Sequence, residues 1–110
     1  MSARWVHACR LDAFDQRQIV ARTLDDRQFI LILDGGQFFA AERACPHEGA
    51  DLAQGRCSAA RLFCPRHAAS FDLSNGAVSQ GWSFPALRVY EVRIVGTELW
   101  INLGDGEVDL

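Results

Sequence analysis

ACPHEGADLAQGRCSAARLFCPRH, residues 44–67, holds two short knuckles that match each other. Cys45-Pro46-His47 reads C-x-H, and sixteen residues later Cys64-Pro65-Arg66-His67 reads C-x-x-H. Each knuckle offers one thiol and one imidazole, and each carries a proline directly after its cysteine. A proline there stiffens a tight turn, whose backbone amides can point at bound sulfur. Two cysteines and two histidines grouped this way read as a metal site. Two unrelated Cys–His coincidences would not share the proline. Structural zinc accepts such a set. Common zinc modules, however, pair cysteine with cysteine and histidine with histidine along the chain, whereas here each knuckle supplies one of each.

The knuckles lie in a stretch, 42–67, that is rich in Cys, His, Pro, Gly and Ala and follows neither the helical nor the strand period. It reads as loops around one short strand at 61–63. Long irregular stretches in small domains are usually functional. On the N-terminal side, 28–33 is a short run, apolar without a break from Phe29 to Leu33 and ended by Asp34-Gly35-Gly36, and 37–41 follows at once. That pattern predicts a β-hairpin over 28–41 with a Gly-rich turn; the alternative is a buried helix broken by glycines. A brief strand at 18–22 and a turn at Asp25-Asp26 precede it. On the C-terminal side, 70–73 and 77–79 flank Ser74-Asn75-Gly76, and Asn-Gly favours a tight hairpin turn. Leu87, Val89, Val92 and Ile94 read as one strand, Gly96-Thr97-Glu98 as a turn, and 99–103 as a last strand. Seven or more short strands predict an all-β sandwich or barrel with little helix.

The whole chain has 110 residues, enough for one domain, and 49% of them are apolar, enough for a buried core. Fourteen acids against eleven bases, every base an arginine, leave a net charge of −3. That balance argues against nucleic acid, whose binders carry a basic excess. No uninterrupted apolar run approaches the length of a membrane helix. The N-terminus has no apolar segment of the secretory kind, so a cytoplasmic, reducing location is expected. There an even cysteine count points less to disulfides than to metal or free thiols.

One thiol and one imidazole per knuckle suits two metal atoms with different ligands. One iron can take Cys45 and Cys64, its neighbour can take His47 and His67, and two bridging sulfides complete both tetrahedra. Here the chain resembles a Rieske-type 2Fe–2S ferredoxin, the small electron carrier of bacterial ring-hydroxylating, aromatic dioxygenase systems. Beyond the knuckles, Phe71-Asp72, Asn75-Gly76, Pro85-Ala86, Leu87, Tyr90 and Val92 fall in the family's order, and the likeness spans roughly residues 4–103. It implies a Rieske fold, an antiparallel β sandwich or barrel with a small inserted cluster-binding subdomain. The expected organisation is one domain over 1–103, the subdomain at about 42–72, and a loose acidic tail at 104–110. The resemblance further implies one 2Fe–2S cluster and no catalysis by the chain itself. Its partners would be an NAD(P)H-dependent flavin reductase and a terminal non-haem iron oxygenase, docking briefly on a monomer near His47 and His67. The small Rieske-like subunit of an assimilatory nitrite reductase is the alternative within the fold, and a structural zinc domain the alternative outside it.

Departures from the family pattern carry expectations of their own. Ala68 stands where a glycine commonly follows the second histidine, and Arg66 stands where many members are apolar. Rieske proteins of cytochrome complexes tie their loops with two cysteines, and the matching positions here are Ala50 and Arg66. Those proteins also set serine and tyrosine hydroxyls against cluster and cysteine sulfur; here Ala69 and Phe71 stand instead. Losing such donors disfavours the reduced state, so a potential at the low end of the Rieske range is expected. Pro46, Pro65 and Trp82 are candidates for apolar cover over the centre, with ordinary core the equal alternative for Trp82, and Glu48 reads as solvated. Outside the site, Cys9 and Cys57 read as buried thiols and His7 as an ordinary surface or strand histidine. Trp5 and Trp100 read as core, and Asp51 and Asp72 as loop braces.

Overall fold

A computed structural model of the chain describes residues 3–46, 49–66, 69–83 and 85–104. Among them the backbone forms ten strands: β1 (Trp5–Arg10), β2 (Ile19–Leu24), β3 (Arg27–Asp34), β4 (Gln37–Glu42), β5 (Arg56–Ser58), β6 (Arg61–Phe63), β7 (Ser70–Asp72), β8 (Val89–Tyr90), β9 (Val92–Val95) and β10 (Glu98–Asn102). Single 3₁₀ turns occupy Leu11–Ala13 and Leu52–Gln54. The strands pair antiparallel into three sheets, in the orders β1-β10-β9, β2-β3-β4-β8 and β5-β6-β7. The all-β expectation is met.

The apolar run 29–33 explains the layering. Side chains alternate across a strand, so Phe29 and Leu31 face one way and Ile30 and Ile32 the other. All four are wholly buried. Phe29 and Leu31 join Ala8, Cys9, Leu99 and Ile101 in one core. Ile30 and Ile32 join Leu52, Leu62 and Phe71 in a second. The four-stranded sheet is therefore a middle layer, and the centre of β3, residues 29–33, is apolar without a break because both its faces are covered there. Each such side chain contributes about 1.5–3 kcal/mol. The expected hairpin is present, with Ile30 opposite Ala41 and Leu31 opposite Ala40. Gly35 and Gly36, at φ 60° and 81°, supply the two left-handed residues of its turn.

Several expectations are corrected. Residues 87–94 are not one strand: β8 pairs with β4, the chain crosses at Glu91, and β9 pairs with β10 in another sheet. The Asn75-Gly76 turn is wider than a two-residue hairpin. The Asp72 amide donates to the Ala77 carbonyl at 2.9 Å, and the Asp72 carboxylate accepts from the Ser74 amide at 2.8 Å, folding 73–76 into a capped loop. Beyond it, 77–79 forms only a bridge, Phe71 opposite Val78. The 42–67 stretch holds a second strand, β5. Trp5 and Trp100 are not core. Leu99 and Ile101 take the inner face of β10, so Trp100 between them turns outward, half-buried, its ring edge-on to His7 at 5.3 Å. Trp5 is also half-buried, under the Arg93 guanidinium at 4.1 Å. His7 is an exposed strand histidine, bonded to Glu98 at 2.7 Å.

Candidate metal centre

The Cys45 loop leaves the end of β4 and closes on itself. The Leu52 amide donates to the Arg43 carbonyl at 2.8 Å, and Ala44 bridges Asp51. The Cys45 amide then donates to the Ala50 carbonyl at 2.9 Å, and the Gly49 amide to the Cys45 carbonyl at 2.8 Å. Gly49 turns the chain at φ 72°, a conformation glycine adopts without strain. The Cys64 loop joins β6 to β7 and closes the same way, the Cys64 amide donating to the Ala69 carbonyl at 3.1 Å. Each cysteine thus opens a six-residue loop, 45–50 or 64–69, shut by its own amide.

A guanidinium–carboxylate clasp holds the foot of the first loop. Arg43 Nε and Nη2 donate to the two Asp51 oxygens at 2.8 and 2.9 Å, and Asp51 also accepts from the Ala53 amide at 3.0 Å, capping the 3₁₀ turn. The Arg43 bonds hold the Asp51 carboxyl below its usual range, against partial burial that pushes the other way. Asp51 and Asp72 are braces, as expected; the Ser74 hydroxyl and amide hold the Asp72 carboxyl low. Nothing in the sequence marked Arg43 as a partner, because the pairing depends on the loop closing.

The two loops meet. Cys45 is 2% exposed and Cys64 6%, and both belong to one buried apolar cluster with Ile30, Leu62 and Phe71. Gly49 and Ala50 of the first loop, Asp51 and Gln54 just after it, and Pro65 and Arg66 of the second loop line a shared groove of ≈ 420 Å³. Pro65 and Arg66 are exposed, while Pro46 and Trp82 are half-buried. Ala69 and Phe71 are wholly buried. His47, His67, Glu48, Ala68 and the tail at 105–110 lie outside the described residues. The cysteine half of the donor set fits a thiolate-ligated metal group: two thiols, on matched loops from two sheets, lie buried in one apolar cluster.

Of the other two cysteines, Cys57 lies in the same buried cluster as Cys45 and Cys64, and Cys9 lies in the other core. Both carry free, buried thiols. Burial, and then the Asp34 carboxylate, pushes Cys57 up to about 12, so it carries no thiolate at neutral pH. Burial also raises Cys9. Among the described residues no helix is long and apolar enough to cross a membrane.

Comparison with known proteins agrees with this arrangement. The Rieske [2Fe-2S] domain family model matches residues 4–102. The ferredoxin subunit of anthranilate 1,2-dioxygenase from Burkholderia cepacia is 28% identical over 102 residues, covering 93% of this chain and 94% of that one. The solved ferredoxin of carbazole 1,9a-dioxygenase from Nocardioides aromaticivorans IC177 superposes with a TM-score of 0.78 at 27% identity, over 88% of this chain and 95% of that one. Human apoptosis-inducing factor 3 is 29% identical over 94 residues, 86% of this chain but 16% of that longer protein.

Proposed function

Because the chain belongs to the Rieske [2Fe-2S] domain family, we propose that it is a one-electron carrier serving a terminal oxygenase of the aromatic-ring dioxygenase type. A 2Fe–2S cluster held here supplies one reversible electron. Cys45 and Cys64 are the thiolate ligands, and His47 and His67 the imidazole ligands. The observation that carries this reading is the pair of matched loops delivering Cys45 and Cys64 into one buried cluster. The chain itself makes or breaks no substrate bond. Residues 1–103 act as one domain, with 42–72 carrying the centre. The work is done in the cytoplasm by a monomer that docks briefly near His47 and His67, first with a flavin reductase and then with the oxygenase. The near-complete mutual coverage with two dioxygenase ferredoxins supports the oxygenase as partner.

Ala69 and Phe71 bring no hydroxyl toward the sulfurs, which leaves charge on them and disfavours reduction. Rieske potentials run from about −150 to +300 mV, and this one belongs roughly below 0 mV. Such a carrier accepts from a flavin reductase; it is too weak an acceptor for oxidising quinol. Reduction of the purified, cluster-loaded protein should give a Rieske-type rhombic paramagnetic signal. His67→Cys should alter the visible spectrum. A colourless protein with one zinc per chain would sink the reading, and a potential above about +150 mV would sink the role given to Ala69 and Phe71.

A further inference from the structure

The two cysteine loops hang from different sheets. The Cys45 loop grows directly out of β4, but the Cys64 loop belongs to β5-β6-β7, which shares no ladder with the four-stranded sheet among the described residues. The separation of the loops therefore depends on what registers the small sheet on the large one. Apolar packing holds the two together but is non-directional.

Gln18 provides direction. It stands just before β2, an outer strand of the four-stranded sheet, and its carbonyl accepts from the Leu33 amide of β3 at 2.9 Å. Its side chain reaches the other way. Nε2 donates to the Cys57 carbonyl at 3.1 Å, and Oε1 accepts from the Cys57 amide at 2.9 Å. That double exchange is what a neighbouring antiparallel strand would make, made here by a side-chain amide. Asp34, at the end of β3, completes the arrangement. One of its oxygens accepts from Gln18 Nε2 at 3.3 Å, which orients the amide, and the other accepts from the Ala60 amide at 2.7 Å.

Ala60 sits in the turn between β5 and β6. Ala59 and Ala60 are both left-handed, at φ 52° and 61°, a conformation alanine resists. The turn is held from both sides, because the Ala60 carbonyl also accepts from the Leu73 amide at 2.9 Å. Strain of this kind persists where the surroundings over-determine it.

We propose that Gln18, oriented by Asp34, is a positioning residue for the metal centre. It registers the β5–β6 hairpin on β2 and β3 and so sets the separation of the Cys64 loop from the Cys45 loop. This inference rests on the ligand assignment above. The clamp involves Gln18, Asp34, Cys57 and Ala60, so breaking it removes none of the four proposed ligands.

The test uses the full, cluster-loaded chain. Gln18→Met keeps the length of the side chain and removes both bonds to Cys57. At a temperature where circular dichroism shows the variant folded, its visible absorbance should bleach in excess chelator about tenfold faster than wild type. The rhombic paramagnetic features should also broaden, as the loops sample a range of separations. Equal bleaching rates with unchanged line shape would overturn the proposal. If Gln18→Met does not fold, hydrogen exchange of the unaltered protein decides. Cys57 and Ala60 amides should be protected at least about tenfold over an open turn such as Gly96, and exchange at the rate of Gly96 would overturn the clamp. A wild-type protein with no Rieske-type signal refutes the ligand assignment instead.

Discussion

Replacing Gly55 by alanine should loosen the foot of the Cys64 loop through a single methyl group. Gly55 has φ −81°, which alanine adopts freely, so the backbone itself raises no objection. Space does. A Cβ on Gly55 would lie 2.4 Å from the Phe63 carbonyl oxygen and 3.2 Å from that of Leu52, where ordinary contact begins at 3.4 Å. Phe63 must therefore retreat by 3.4 − 2.4, or 1.0 Å. It is main chain, paired with Arg56 across β5–β6 and bonded to Cys64, so it cannot swing aside as a side-chain tip would. Overpacking of this kind costs about 1–3 kcal/mol. Alanine's stiffer unfolded chain returns about 0.4–1 kcal/mol, leaving a net loss of about 1–2 kcal/mol. Unfolding entropy of about 2.1 cal/mol/K per residue makes each kcal/mol worth about 4 °C in a chain of this length. The variant should melt about 4–8 °C below wild type by circular dichroism, and its cluster absorbance should bleach sooner in chelator. A variant melting within about 1 °C of wild type, with unchanged bleaching, would refute the reasoning from the Phe63 contact.

Gly76→Ala should be worse. Gly76 is left-handed at φ 82°, and its Cβ would meet the Leu87 carbonyl oxygen at 1.9 Å, so a loss of about 4 kcal/mol is expected in urea unfolding; wild-type stability would show that this loop can open. Raising the pH tests the buried Cys57 thiol. Its folded value, about 12, lies above the unfolded value of about 8.5, so the folded state holds the proton longer. That stabilisation is complete below the unfolded value and is lost at about 1.4 kcal/mol per pH unit as pH rises toward the folded one. Cys57→Ala should flatten the slope of urea midpoints between pH 9 and 11 by about one proton's worth, and an identical slope would contradict it. Acid tests the opposite sign at Asp51. Its folded value is lowered, first by the Arg43 bonds, so its contribution is present above the unfolded value of about 3.9 and fades as pH falls through the folded one. Both side chains are about a third exposed, so the effect is small. Arg43→Ala should destabilise slightly near neutrality and lose less than wild type on acidification, and equal losses would count against the clasp.

The knuckles and the β3–β4 hairpin were legible in the sequence because both are local. A proline after each cysteine, and two glycines between apolar runs, act within a few residues of themselves. The β5–β6 hairpin was not legible. Its turn residues, Ala59 and Ala60, give no turn signal, and they hold left-handed conformations because Asp34 and Leu73, distant in sequence, bind both sides of the turn. Asn75-Gly76 erred in the other direction. Gly76 does take positive φ, but the Asp72 carboxylate caps Ser74 and widens the loop. Residues 87–94 carry one continuous strand pattern, and which sheet each part joins depends on partners outside it.

By itself the sequence determined the two matched Cys-Pro knuckles and the left-handed turns that glycine can take unaided. These are properties of neighbouring atoms. Tertiary structure decided the layering, since an unbroken apolar strand says only that both faces are covered and not by what. It also decided how the loops meet. The Cys45 loop is tied to its sheet by continuous chain, but the Cys64 loop is placed by contacts such as Gln18 to Cys57, 39 residues apart. Separations of that kind are fixed only when the whole chain has closed upon itself.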